Sequence, residues 1–152
     1  MTTYFVLAGD EPWDTINGVW AVLKEKDHPI KQVHLLGEED EYIKVKEDIE
    51  KMLVHYGIEA DINTKVISGD EASKKIEEIL NKTEEEEVVL DITGGTKYLS
   101  ADILVNSQMA NFTNIFCLFY SDDEHMERPY PVIEKTKLEL RDLKRKSRSD
   151  KR

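Results

Sequence analysis

The chain is poor in the residues that several classes of protein depend on. It has one cysteine, Cys117, so neither an intrachain disulfide nor a cysteine-based zinc site can form. No apolar run is long enough to span a bilayer, and the N-terminus reaches Gly9, Asp10 and Glu11 too soon for a secretory signal. These absences predict a reduced, cytoplasmic protein without contact to a membrane. Cations are also scarce: 21 Lys and Arg stand against 32 Asp and Glu, a formal net charge of −11 over 152 residues. So acidic a chain argues against broad, non-specific binding to duplex DNA, which needs a cationic surface. The deficit is uneven. Lys135 to Arg152 holds nine basic and three acidic side chains, a local +6, which leaves −17 on Met1 to Glu134. An anionic ligand would have to be held by a few placed groups or by that basic tail.

What is present is an alternation of short apolar runs and helical stretches. Thr3 to Gly9, Lys31 to Gly37, Ile62 to Ile67, Glu87 to Gly95 and Asn114 to Tyr120 read as strands. Asn17 to Lys26, Tyr42 to Tyr56 with Gly57 as its stop, a segment opening at Asp70, and Thr96 to Ala110 read as helices. Val132 to Leu140 alternates weakly and reads as a final strand. The pattern predicts one α/β domain over residues 1–146, with a basic, frayed tail over 147–152. Its fold would be Rossmann-like: a mostly parallel sheet of five to six strands, helices on both faces, and a C-terminal strand able to run antiparallel. Right-handed crossovers with a reversal of strand order make the loops after the first and fourth strands neighbours, where ligands of such sheets bind.

Those two loops hold the unusual residues. In the first, Ala8 to Trp20, Gly9 allows a tight exit from the strand and Asp14 or Thr15 can cap the helix. Trp13 could stack on a base or lock the loop onto the body, and Asp10 could be a general base, a cap or a solvated carboxylate. In the second, Asp91 to Asp102, Gly94 and Gly95 let backbone amides approach a phosphate. Thr93 and Thr96 add hydroxyls, and Lys97 adds a full positive charge at a helix N-terminus. A purely structural strand-to-helix turn would use the same residues. Neither G-x-G-x-x-G nor a Walker motif occurs, which disfavours an ordinary dinucleotide or ATP site.

DITGGTK (Asp91 to Lys97), following an apolar strand and opening an Ala/Leu-rich helix, resembles the signature of CRISPR-associated Rossmann-fold (CARF) domains. The resemblance covers Thr3 to Tyr120. It implies a twofold homodimer that binds a cyclic oligoadenylate, usually cyclic tetra-adenylate, across the interface. It also implies that Thr93, Gly94, Gly95, Thr96 and Lys97 grip phosphate and ribose while Gly9 to Asn17, Trp13 among them, surround the adenines. The first loop departs from commoner members, which carry Gly-Thr-Ser-like residues there.

The 32 residues after Tyr120 are too few for a fused effector domain, and all four histidines precede every arginine, which excludes the Arg-then-His ribonuclease signature of HEPN effectors. Asp142-Leu143-Lys144 reads as a chance match to a nuclease motif, His34 as a satisfied core histidine, and the acidic runs 38–41, 84–87 and 122–124 as solvated surface. The expectation is therefore a metal- and cofactor-independent ring nuclease that opens cyclic tetra-adenylate and ends type III CRISPR signalling. Lys97 and the Gly94 and Gly95 amides would stabilise charge, Asp10 would be the base, and Thr15 or Asn17 would orient the 2′-OH. The alternative is a non-catalytic sensor or sponge acting with a partner.

Overall fold

Strand β1 (Thr2–Ala8) is buried along its whole length because it lies in the middle of a six-stranded sheet. In a computed structural model describing residues 1–82, 87–106, 111–121 and 128–144, the order is β3-β2-β1-β4-β5-β6. The other strands are β2 (Ile30–Gly37), β3 (Asp61–Val66), β4 (Glu87–Asp91), β5 (Asn114–Tyr120) and β6 (Leu138–Asp142). All pairings are parallel except β5 with β6. β1 pairs with both β2 and β4, so the strand order reverses between β1 and β4.

Alternation along β1 sorts the two faces. Tyr4, Val6 and Ala8 pack with Ile16, Val19 and Val22 of α1 (Pro12–Glu25) and with Ile49 and Leu53 of α2 (Lys46–His55). Phe5 and Leu7 pack with Ile76 of α3 (Ala72–Asn81) and with Leu99 and Ile103 of α4 (Lys97–Asn106). Helices therefore cover both faces of a Rossmann-like α/β sheet. No helix among the described residues is long and apolar enough to cross a membrane.

The boundaries differ from the sequence expectation in four places. α1 begins at Pro12 rather than Asn17, because Glu11 Oε1 accepts the Trp13 amide at 3.1 Å and caps the helix. Neither Asp14 nor Thr15 is the cap. The stretch from Tyr42 divides into a 3-10 turn, Asp40–Val45, and α2, ending before Gly57 at φ +70°. β4 stops at Asp91, and β6 starts only at Leu138, after short 3-10 turns at Tyr130–Val132 and Lys135–Lys137. Residues 107–110 of the expected fourth helix, the acidic residues 84–86 and 122–124, and the tail 147–152 lie outside the described residues.

Cys117 is half-buried on β5, and burial followed by the Asp91 charge pushes its thiol up to about 11. His34 is indeed a core histidine: it stacks on Phe5 at 5.2 Å and its Nε2 lies 3.3 Å from Gln32 Oε1. Burial first, then the Lys75 charge, lowers its pKa.

Candidate functional site

The carboxyl ends of β1 and β4 bring Gly9 against the turn that follows Asp91. A Cβ on Gly9 would sit 2.4 Å from the Gly94 carbonyl oxygen. One on Gly94 would sit 2.1 Å from Thr15 Oγ1 and 2.8 Å from the Leu7 carbonyl, and one on Gly95 would meet Ser100 Oγ at 2.7 Å. Neither Gly94 nor Gly95 has a positive φ. Their side-chain hydrogens are needed for close approach of the two loops, which press directly on each other.

The turn is fastened from below by Asp91. This fully buried carboxylate accepts the Tyr4 hydroxyl at 2.6 Å and the Thr93 amide at 3.0 Å. Burial raises its pKa, and the Tyr4 and Thr93 hydrogen bonds oppose the rise. Thr93 Oγ1 accepts the Leu118 amide at 3.0 Å and lies against Gly18, so this side chain joins β4 to β5 and α1. The Gly95 amide closes the turn onto the Ile92 carbonyl at 3.1 Å, which removes it from the candidate phosphate donors. The Gly94 amide has no partner among the described residues.

Thr96 starts α4. Its Oγ1 accepts the Leu99 amide at 3.1 Å and donates to the Glu38 carboxylate in the loop after β2. Lys97, the first residue of α4, is exposed. A cation there opposes the helix dipole, and the first amides of a helix lack internal acceptors, so an anion would relieve both.

On the α1 side, Asp10 is exposed and Thr15 is buried against Gly94. Asp14, in the first helical turn, is pushed up to about 6 by burial and then by Glu11 and Asp10. Carboxylates also gather across the loop after β2. A hydrogen bond to Glu39, then burial, then the charges of Glu39, Asp10 and Glu38 push Tyr42 up to about 12. Cations flank the opposite side. A groove of about 480 Å³ beside Tyr120 is lined by Phe119, Lys135, Lys137 and Arg141, which brings part of the basic segment to this edge.

The structure thus brings Gly9, Thr15, Gly94, Gly95, Thr96 and Lys97 together, with Asp10 exposed just beyond Gly9. Asn17 is turned elsewhere, against its expected role. Its Nδ2 donates to the Tyr120 hydroxyl at 3.1 Å and the Arg128 carbonyl at 2.7 Å, and its Oδ1 accepts the Tyr130 amide at 2.7 Å. Fully buried and fully bonded, it clamps the C-terminal segment and cannot orient a 2′-OH. Trp13 packs partly buried against the main core. Sequence reasoning missed Glu38 and the Tyr4 partner of Asp91, and gave Asp14 only as a cap. Glu38 sat in an acidic run and Tyr4 in an apolar strand, so neither carried a signal; Asp14 did, through its place beside Asp10 and Glu11. Among the described residues no group of three or more His, Cys, Asp or Glu could hold a metal ion.

No family model matches the chain, and no curated protein matches it. Among solved structures it is similar to a type III CRISPR defence DNA nuclease activated by cyclic oligoadenylate, at 18% identity and a TM-score of 0.54. The match covers 94% of this chain and 21% of that one, so the chain spans about a fifth of the nuclease's length. What the two proteins share is the fold.

Proposed function

We propose that the chain is a CARF-type ring nuclease that binds cyclic tetra-adenylate across a twofold homodimer and cuts it. The carrying observation is the contact of the Gly9 loop with the TGGTK turn at the strand-order reversal, with Lys97 opening α4 beside it. The fold likeness to part of a cyclic-oligoadenylate-activated nuclease adds support. The homodimer is supported by α4 itself. Leu99 and Ile103 face the core, while Tyr98 and Val105 are 62% and 78% exposed on the outer side. A helix apolar on both sides wants a second partner, and a twofold axis beside α4 would set two Lys97 side chains around one ring.

In the cleavage step a ribose 2′-oxygen attacks its adjacent phosphorus in line, and the bond to O5′ breaks. The products carry a 2′,3′-cyclic phosphate and a 5′-hydroxyl. Lys97 and the Gly94 amide would stabilise the charge of the pentavalent transition state, Asp10 would take the 2′-OH proton, and Thr15 would help orient the hydroxyl. Purified protein incubated with cyclic tetra-adenylate and EDTA is expected to yield linear di-adenylate; a ring that stays intact overturns the enzymatic reading. The sensor reading is favoured by one observation, that Asn17 and Thr93 are consumed by the fold. Stoichiometric binding without product would select it.

A further inference from the structure

A carboxylate from a third loop is bonded directly to the turn that would hold the phosphate. β1 and β2 run in register up to Ala8 beside Gly37, so the chain enters the Gly9 loop and the Glu38 loop side by side. Thr96 joins them. Its amide nitrogen lies 3.5 Å from where a Cβ on Gly9 would be, and its Oγ1 donates to Glu38 Oε1. Glu38 is half-buried, and its Oε2 has no hydrogen-bond partner among the described residues. The Thr96 hydroxyl gives its one proton to Glu38 and accepts the Leu99 amide, so it has no donor left for a phosphate. What this part of the turn offers a ligand is therefore an acceptor, the free Glu38 oxygen.

An ionised carboxylate accepts hydrogen bonds and donates none. Beside an anionic ligand it is unfavourable unless the ligand turns a donor toward it. A cyclic oligoadenylate has two kinds of donor, the ribose 2′-OH and the adenine amine. The amine stands at the far end of the base, whereas the 2′-OH is next to the phosphate on its own sugar, in reach of a group bonded to the phosphate-holding turn. We propose that Glu38 is the specificity-determining residue of the site: its free oxygen accepts the 2′-OH of a bound ribose, and the site thereby takes a ribonucleotide ring and rejects a deoxyribonucleotide one. The inference rests on the ring ligand proposed above. Glu38 holds one hydroxyl while Asp10 deprotonates another, since a twofold gives each protomer two of the ring's four sugars.

The test is stopped-flow binding of fluorescently labelled cyclic tetra-adenylate and of its all-2′-deoxy counterpart to the full chain, read before cleavage. The wild type is expected to bind the ribose ring about tenfold or more tighter, as a hydrogen bond to a charged group would give. In Glu38→Ala the preference disappears, and the deoxy ring binds at least as tightly as it does to the wild type, because a negative charge has gone and no contact with that ring is lost. Glu38→Gln, which keeps an acceptor oxygen, retains part of the preference. Equal affinity of the wild type for the two rings overturns this inference alone. So does a preference that survives in Glu38→Ala, or an equal loss of affinity for both rings there, which would reduce Glu38 to a support for Thr96. Binding of neither ring by the wild type overturns the ligand reading beneath it and this inference with it.

Discussion

At Gly94 the obstacle to a side chain is backbone: a Cβ would come 2.7 Å from Thr15 Cα and 2.8 Å from the Leu7 carbonyl, neither of which can rotate away. Gly94→Ala is expected to lower stability by about 2–3 kcal/mol, read as a shift of the denaturant midpoint. An unchanged midpoint would mean that the two loops do not touch. Asp14 carries the opposite kind of strain. Its folded pKa is raised, so between 3.8 and about 6 the folded state binds more protons than the unfolded one. Asp14 therefore destabilises the fold as pH rises through 6 and ceases to do so as pH falls toward 4. The displacement is nominally about 3 kcal/mol, and screening at a half-buried group reduces it to about 1 kcal/mol. Asp14→Asn is expected to raise stability by that amount at pH 8 and to leave it unchanged near pH 4, as measured by urea denaturation. His34 has the contrary sign. Its pKa is lowered, so its neutral form is favoured in the fold and acidification below 6.5 weakens the protein.

Among the elements, the central parallel strands β1 and β4 were legible because their side chains are buried on both faces, which leaves an unbroken apolar run. α1 was legible only in part. Its first turn, Pro12 to Thr15, carries the polar Asp14 and Thr15, so apolar periodicity begins late and hides the true start. β6 alternates between half-buried and exposed positions at the sheet edge, a weak signal that placed the strand six residues early. The site's place was legible from glycines at the ends of two strands, but the roles of its residues were not. Those roles depend on partners far along the chain: Thr93 on Leu118, Thr96 on Glu38, and Asn17 on Tyr130. Asn17 is the strongest such tie between elements. Asn17→Ala would strand the Tyr130 amide and the Arg128 carbonyl, and is expected to cost about 2–4 kcal/mol. Limited proteolysis should then cut first between Arg128 and Leu138. Cleavage at the wild-type rate would remove Asn17 as the clamp.

For the whole molecule, the exposed α4 residues make the assembly state the decisive property. Val105→Glu is expected to leave the chain folded and convert a dimer to a monomer in light scattering, because it charges the outer apolar side without touching Leu99 or Ile103. A wild-type chain that is monomeric at all concentrations would remove the shared-ring geometry. The Asn17 clamp has a consequence of another kind. Its three hydrogen bonds reach Tyr120, Arg128 and Tyr130, up to 113 positions later in the chain. A ribosome adding about 5–20 residues per second needs roughly ten seconds to cover that distance. During that interval the first helix has left the exit tunnel with an interior amide that nothing yet satisfies. The nascent domain can pair β1 with β2 in that time, but the wall that Asn17 holds closes only once the segment through Tyr130 has been made, and a chain cut short before Tyr130 lacks it.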